Sequence, residues 1–251
     1  EREHEPRTVR SLTLDPQHAT VVFAGFGHAE RFENLRQALG DAIAAEACAH
    51  IHAAALAEAD ARAVSARDIL DKIKICTELD DALENTVLAA AITARTRMLS
   101  HDVFDARQGA HELLRYAQQK PVALLFGAET SGLTTAEVNK CQIIIHIPTN
   151  PEFASLNLAS AVQVMAYELR MALTETSHQE TQSMIGSPAN FNDLELFYAH
   201  LEQMMIASDF LDPEKPKLLM QRLRRLFARA RLEKEEVQIL RGILTALGKR
   251  W

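Results

Sequence analysis

Three cysteines are all that this chain of 251 residues has, Cys48, Cys76 and Cys141, an odd number without paired spacing. That composition builds no disulfide framework, and a reduced, cytoplasmic setting is the expectation. Long apolar runs are missing too: none approaches the ~20 residues needed to span a bilayer. The opening Glu1-Arg2-Glu3-His4 has nothing of a secretion signal. Positive charge is in short supply, with a formal net charge of −7, which argues against a protein that wraps nucleic acid by bulk electrostatics. No internal repeat is visible. Gly25-Phe26-Gly27 follows a strand pattern, but Glu30 stands where a dinucleotide fingerprint needs its third glycine. No Ser-His-Asp or Cys-His arrangement suggests covalent catalysis. His50 and His52 with Glu58 or Asp60 could chelate a metal, yet exposed helix histidines explain them as well, and no metal is expected. What remains, 47% hydrophobic and 24% charged, is a normal soluble chain of one or two domains with ample core.

The chemistry concentrates in residues 121–170. Residues 122–126 are an uninterrupted apolar run between Pro121 and Gly127, as expected of a parallel strand covered on both faces. The turn from Gly127 to Gly132 has two glycines that let backbone approach a ligand. Thr134 or Thr135 caps a short helix with Glu137 in its first turn. Residues 143–147 form a second strand, ended by Pro148-Thr149-Asn150-Pro151 because proline denies the ladder its donors. Leu158, Ala161, Val162, Met165 and Leu169 then mark one stripe of a helix, which puts Ser155 and Asn157 at or near its N-terminus, where free N–H groups favour an electron-rich partner. A tight turn and a helix cap explain either loop alone equally well. In tandem, at the carboxyl ends of neighbouring strands, they suit the ligand crevice of an open α/β sheet.

The segments FGAETSGLT (126–134) and IPTNPEFASLNLASAVQVMAYELR (147–170) resemble the second and third motifs of the SPOUT-class (SpoU/TrmH-type) RNA ribose 2'-O-methyltransferases. Residues 79–83 and 91–97 are similar to the family's acidic helix and its Thr-Ser-Ala-Arg loop, which lies against the methyl donor. The resemblance implies an α/β fold, a SPOUT-type parallel sheet whose C-terminal part is threaded into a trefoil knot, an exception to the near absence of knots. It also implies S-adenosylmethionine held in the knot, and a homodimer that shares its active sites. Donor binding is then expected at Ile92, Thr93, Ala94, Gly127, Ile147, Ala154, Ser155 and Leu156, largely through backbone. Catalytic roles carry over to Glu129, which orders the site, and to Ser155 and Asn157, which position the ribose hydroxyl. The family's activating arginine has Arg36 as its nearest candidate, with Arg31 behind it. The Pro-Gly-Asn element that usually precedes it is absent after His28, and both arginines are explained equally well as solvent-facing helix residues.

Residues 193–249 resemble the helical C-terminal extension of the TrmJ branch, whose members methylate the ribose of tRNA position 32 in the anticodon loop. Asp212 as N-cap, Pro213 at the first helical position and Leu218, Leu219, Leu223, Leu226 and Phe227 at helical spacing support a small all-helical domain, with Gly248 as a stop. The expected division is a methyltransferase domain over 1–175, with 1–18 as an extension, a linker over 176–190, and an RNA-contacting extension over 191–251. That last part carries 11 Lys/Arg against 9 Asp/Glu, a net +2, which leaves −9 for the rest. Lys215, Lys217, Arg222, Arg224, Arg225, Arg229 and Arg231 have no acidic residue between them and can grip phosphates, although a solvated basic helix face has the same pattern.

The function these features imply is S-adenosylmethionine-dependent methylation of a tRNA ribose hydroxyl. Ribosomal RNA as substrate, or a non-catalytic knotted RNA-binding protein with a degenerate first motif, are the alternatives. Earlier in the chain, residues 20–26, 72–76 and 87–92 read as strands, while 31–39 and 41–63 read as helices. His101-Asp102 and His111-Glu112 read as loop and helix surface.

Overall fold

The computed structural model describes residues 9–13, 19–24, 74–76, 78–95, 101–118, 120–128, 131–150, 152, 155–176 and 186–249. The helices expected over 31–39 and 41–63 lie outside the described residues, as do Arg31, Arg36, Glu129, Ala154 and the His50-His52 pair.

Seven strands form one sheet in the order β3-β1-β2-β6-β4-β7-β5. They are β1 (Val9–Thr13), β2 (Ala19–Ala24), β3 (Lys74–Cys76), β4 (Leu88–Ile92), β5 (Asp102–Asp105), β6 (Val122–Gly127) and β7 (Ile143–His146). From β2 to β5 every neighbouring pair is parallel, and β1 runs antiparallel to both β2 and β3. The register sets Leu88 beside Val122 and Ala90 beside Ile143, so the ends of β6, β4 and β7 lie side by side.

Both faces of β4, β6 and β7 are covered, which is why these strands are apolar along most of their length. On one face Ala89, Ala91, Ala123, Leu125 and Ile144 pack with α1 (Leu79–Leu83) and α3 (Thr135–Asn139). On the other, Leu88, Ala90, Val122, Leu124, Phe126, Ile143 and Ile145 pack with α2 (Ala106–Ala117) and α4 (Leu158–Thr176). Gly109 lets α2 settle onto β7, since a Cβ there would meet Ile145 Cδ1 at 2.5 Å.

Residues 191–249 form three helices, α5 (Phe191–Ala207), α6 (Leu219–Ala230) and α7 (Lys234–Gly248). Their core is Leu194, Phe197, Tyr198 and Val237, with Phe227 edge-on to Phe197 at 4.9 Å between centroids. The unit is attached to the sheet layer: the Phe191 N–H donates to the Thr86 carbonyl at 2.8 Å, and the Phe191 ring is buried with Leu83 and Leu133.

Local differences from expectation have identifiable causes. Asp212 caps a turn, accepting from the Glu214 N–H at 2.9 Å, and α6 begins at Leu219 without a side-chain cap. Pro216 prevents the earlier start, because proline has no N–H and disfavours helical backbone at Lys215. His101 is 6% exposed, so it is core and not surface loop. The segment set apart as an extension contributes β1, paired along its whole length with β2.

Candidate functional site

At the carboxyl ends of β4, β6 and β7 the chain leaves a cleft of about 350 Å³. Its described walls are Ile92, Thr93, Ala94 and Arg95 after β4; Phe126, Gly127, Ala128, Gly132 and Leu133 at the end of β6; Ile147 after β7; and Ser155, Leu156, Leu158 and Ala161 at the start of α4. Three adjacent parallel strands opening onto one crevice is the arrangement that open α/β sheets use for ligands.

Each wall is fixed by local chemistry. The β4 loop is tied to β7, because the Thr93 N–H donates to the Ile145 carbonyl at 3.2 Å and Thr93 Oγ1 accepts from the Arg95 N–H at 3.1 Å. The β6 loop folds back on its own strand. Gly132 sits at φ 64, in the left-handed region, and its N–H donates to the Ala128 carbonyl at 2.7 Å. Gly127 is required by that return: a Cβ there would lie 2.2 Å from the Gly132 carbonyl carbon and 2.3 Å from the Leu133 nitrogen. Thr134 then caps α3 in a capping box with Glu137, which holds the far end of the loop.

Ser155 and Leu156 line the cleft from the last residues before α4. Asn157 follows them as the cap of α4: its Oδ1 accepts from the Ala159 N–H at 2.9 Å, and its carbonyl accepts from the Ala161 N–H at 3.0 Å. The free N–H groups of a helix start therefore stand beside the cleft.

Of the residues expected to bind a donor, Ile92, Thr93, Ala94, Gly127, Ile147, Ser155 and Leu156 are brought together here, and Ala154 lies outside the described residues. Asn157 adjoins the wall. Arg95 was not among the expected site residues, although the Thr93-Ala94-Arg95 loop was, and it sets an exposed cation at the rim. Phe126, Ala128, Gly132, Leu133, Leu158 and Ala161 complete the lining; all six lie within the two motif segments, and Gly132 is the second of the turn glycines expected to let backbone approach a ligand. Among the described lining residues there is no carboxylate and no imidazole. The described wall can hold and orient a ligand by backbone and apolar contact. Arg36, expected to activate the hydroxyl, and Glu129, expected to order the site, lie outside the described residues.

The basic cluster of the tail divides. Lys215, Lys217, Arg222 and Arg229 are exposed, and Arg225 is half-buried. Arg224 packs inward: it forms a two-pronged pair with Glu195, one prong at 2.7 Å, and its guanidinium lies 4.4 Å from the centroid of the Tyr198 ring. Burial alone would lower the Arg224 pKa, but the Glu195 hydrogen bonds and charge outweigh it and raise it. Burial also pushes the Tyr198 hydroxyl up to about 12. Arg231 ends α6 in the left-handed region at φ 53 and reaches Asp102 of β5 at 3.6 Å. Among the described residues, no three His, Cys, Asp or Glu side chains gather as a metal site, and no helix is long and apolar enough to cross a membrane.

Comparison with known proteins agrees with this arrangement. Residues 32–167 match the SpoU rRNA methylase family, and residues 192–251 match the C-terminal domain of the tRNA methyltransferase TrmJ. A tRNA (cytidine/uridine/adenosine-2'-O-)-methyltransferase TrmJ of Pseudomonas aeruginosa is 44% identical over 76% of this chain and 78% of its own length. A tRNA (cytidine/uridine-2'-O-)-methyltransferase TrmJ of Klebsiella pneumoniae is 42% identical over 76% of this chain and 79% of its own. The crystal structure of TrmJ from Z. mobilis superposes with a TM-score of 0.63 at 31% identity, covering 73% of this chain and 77% of that one. Identity at this level across three quarters of the chain, with one family model ending within α4 and the other spanning α5 to α7, leaves one assignment: the chain belongs to the SpoU methylase family and carries a TrmJ-type C-terminal domain.

Proposed function

We propose that this protein is an S-adenosylmethionine-dependent tRNA ribose 2'-O-methyltransferase that modifies a cytidine or uridine at position 32 of the anticodon loop. The observation that carries the reading is the convergence of the loops after β4, β6 and β7 on one cleft, with Ser155 and the capped start of α4 at its edge. The cleft suits the donor. Its size falls within the range of about 300–1,000 Å³ usual for ligand pockets. Its wall joins apolar side chains to the backbone of Gly127 and Gly132, so an adenosine and an amino-acid chain find both apolar and polar surface.

S-adenosylmethionine supplies an electrophilic methyl group on a sulfonium. The chain's own task is to align the ribose hydroxyl behind that methyl and to stabilise the oxygen as its proton leaves. Ser155 and Asn157 take the positioning role. Glu129 orders the loop, and Arg36 is the candidate that activates the hydroxyl. Arg95 at the rim offers a charge to a backbone phosphate of the RNA. Lys215, Lys217, Arg222 and Arg229, exposed along the tail, extend that grip, while Arg224 and Arg231 hold the tail's own structure.

The division into a methyltransferase domain, a linker and a helical extension follows the two family matches. A trefoil knot is supported by the sheet order, in which the late strand β7 is set between β4 and β5. A homodimer is supported by α4, where Tyr167 and Met171, one turn apart, are 55% and 37% exposed. A reduced cytoplasmic setting suits both the substrate and the free Cys76 and Cys141.

Incubation with methyl-labelled donor and unmodified tRNA tests the reading. Label should appear as 2'-O-methylcytidine or 2'-O-methyluridine at position 32. Donor binding without transfer to any tRNA would leave a non-catalytic RNA-binding protein, and transfer to ribosomal RNA alone would replace the substrate.

A further inference from the structure

Thr93 stands where the cleft opens, and each of its polar groups is engaged. Its N–H donates to the Ile145 carbonyl, its Oγ1 accepts from the Arg95 N–H, and its carbonyl is met by Nδ1 of His146 at 3.4 Å. Strands β4 and β7 pair as far as Ile92 and Ile145. A continued parallel ladder would next bring a backbone N–H to the Thr93 carbonyl, but the two chains part here, Thr93 to Arg95 forming one wall of the cleft and Ile147 another. The imidazole of the last β7 residue takes the place of the ladder donor. His146 is half-buried and does not line the cleft. Side chains alternate along a strand: Ile143 and Ile145 enter the cluster beneath α2 and α4, and Ile144 enters the other. His146 therefore leaves β7 on the Ile144 side and meets Thr93 without entering the ligand space.

The consequence falls on the next peptide. A trans peptide is planar, with its C=O and N–H pointing in opposite directions, so a Thr93 carbonyl held towards β7 turns the Ala94 N–H away from it. The other neighbour of β4 in the sheet is β6, whose Gly127 and Ala128 form the facing wall of the cleft. Among the described residues, none accepts from the Ala94 N–H. We propose that His146 is a positioning residue for the methyl donor: its Nδ1–H fixes the Thr93 carbonyl and so presents the Ala94 N–H to an acceptor on S-adenosylmethionine. The role requires the ring proton on Nδ1, since a carbonyl can only accept. The inference rests on the reading of the cleft as a donor site.

Amide side chains separate this role from simple packing. Asparagine carries its NH₂ donor as many bonds beyond Cβ as histidine carries Nδ1, whereas glutamine carries it one bond further. Titration calorimetry on the full chain should therefore give His146→Asn a dissociation constant for S-adenosylmethionine within about twofold of the unsubstituted protein, while His146→Gln and His146→Leu each weaken binding roughly fivefold, the effect of one net hydrogen bond. With saturating tRNA, the donor KM should rise by the same factor in those two variants and kcat should hold, because the lost contact serves binding and not the chemical step. Circular dichroism checks folding, and the comparison of asparagine with glutamine stands if the leucine variant does not fold. Equal affinity throughout, an asparagine variant as weak as the leucine one, a glutamine variant as strong as asparagine, or a fall in kcat with donor KM unchanged would each overturn the role of His146 and leave the donor site in place. An unsubstituted protein that fails to bind the donor would overturn the site and this inference together.

Discussion

Gly127 is the residue on which the cleft's shape most depends, because the returning backbone of Gly132 and Leu133 occupies the space of a Cβ. Backbone cannot swing aside as a long side chain can. Gly127→Ala is expected to cost more than about 2 kcal/mol in chemical denaturation and to abolish donor binding; a variant of parental stability would contradict the geometry. Asn157 has two duties that one substitution can separate. Asn157→Ala removes the α4 cap and should cost about 1 kcal/mol as well as transfer. Asn157→Asp keeps a capping oxygen and should regain the stability without regaining turnover. Full activity in the aspartate variant would reduce Asn157 to a cap. The two glycines and Ser155 were legible because conformational constraint is written in residue type. Arg224 was harder, since an unbroken run of cations conceals which side of the helix each occupies. The helical period separates them: Arg222, Arg225 and Arg229 recur at i+3 and i+4 spacing, while Arg224 falls on the opposite side, against Glu195 and Tyr198.

Among the elements, β6, β7 and the start of α4 were readable, because continuous apolar runs stop at Gly127 and Pro148 and a helical stripe follows. Strand β5 was not: Asp102-Val103-Phe104-Asp105 has only two apolar residues, and Val103 is 60% exposed at the sheet edge. It is a strand because β7 offers a ladder to pair with. Helix α6 misled at its start, where Asp212 and Pro213 announce a helix that Pro216 forbids. The α5–α6 contact makes two predictions. Glu195→Ala strands the Arg224 guanidinium and should cost about 2 kcal/mol, measured by denaturant midpoint. Tyr198 adds a pH dependence. Its pKa rises from 10.0 in the unfolded chain to about 12 in the fold. A raised pKa means the contribution is complete below the unfolded value and is lost as pH climbs through the folded one. Stability should therefore drop between pH 10 and 12, and Tyr198→Phe should drop less over that window; identical profiles would remove burial of Tyr198 as the cause.

As a whole molecule the protein joins an acidic methyltransferase layer to a tail whose exposed cations are few and local. That balance predicts a binding term of limited size. Replacing Lys215, Lys217, Arg222 and Arg229 together with glutamine should weaken tRNA binding and flatten its logarithmic salt dependence by up to about 3, while donor affinity stays as it was. An unchanged slope would move the RNA contact elsewhere. The large-scale arrangement was legible only through motif resemblance. Periodicity describes an ordinary parallel sheet and does not reveal that β7 inserts between β4 and β5. Sheet order is a long-range choice made by packing both faces at once, and no local pattern encodes it. The central claim remains that the loops after β4, β6 and β7 form a methyl-donor site. Titration calorimetry of the full chain with S-adenosylmethionine addresses it directly: the account predicts saturable binding at one site per chain, lost in Gly127→Ala, and the absence of binding heat in the unsubstituted protein would contradict it.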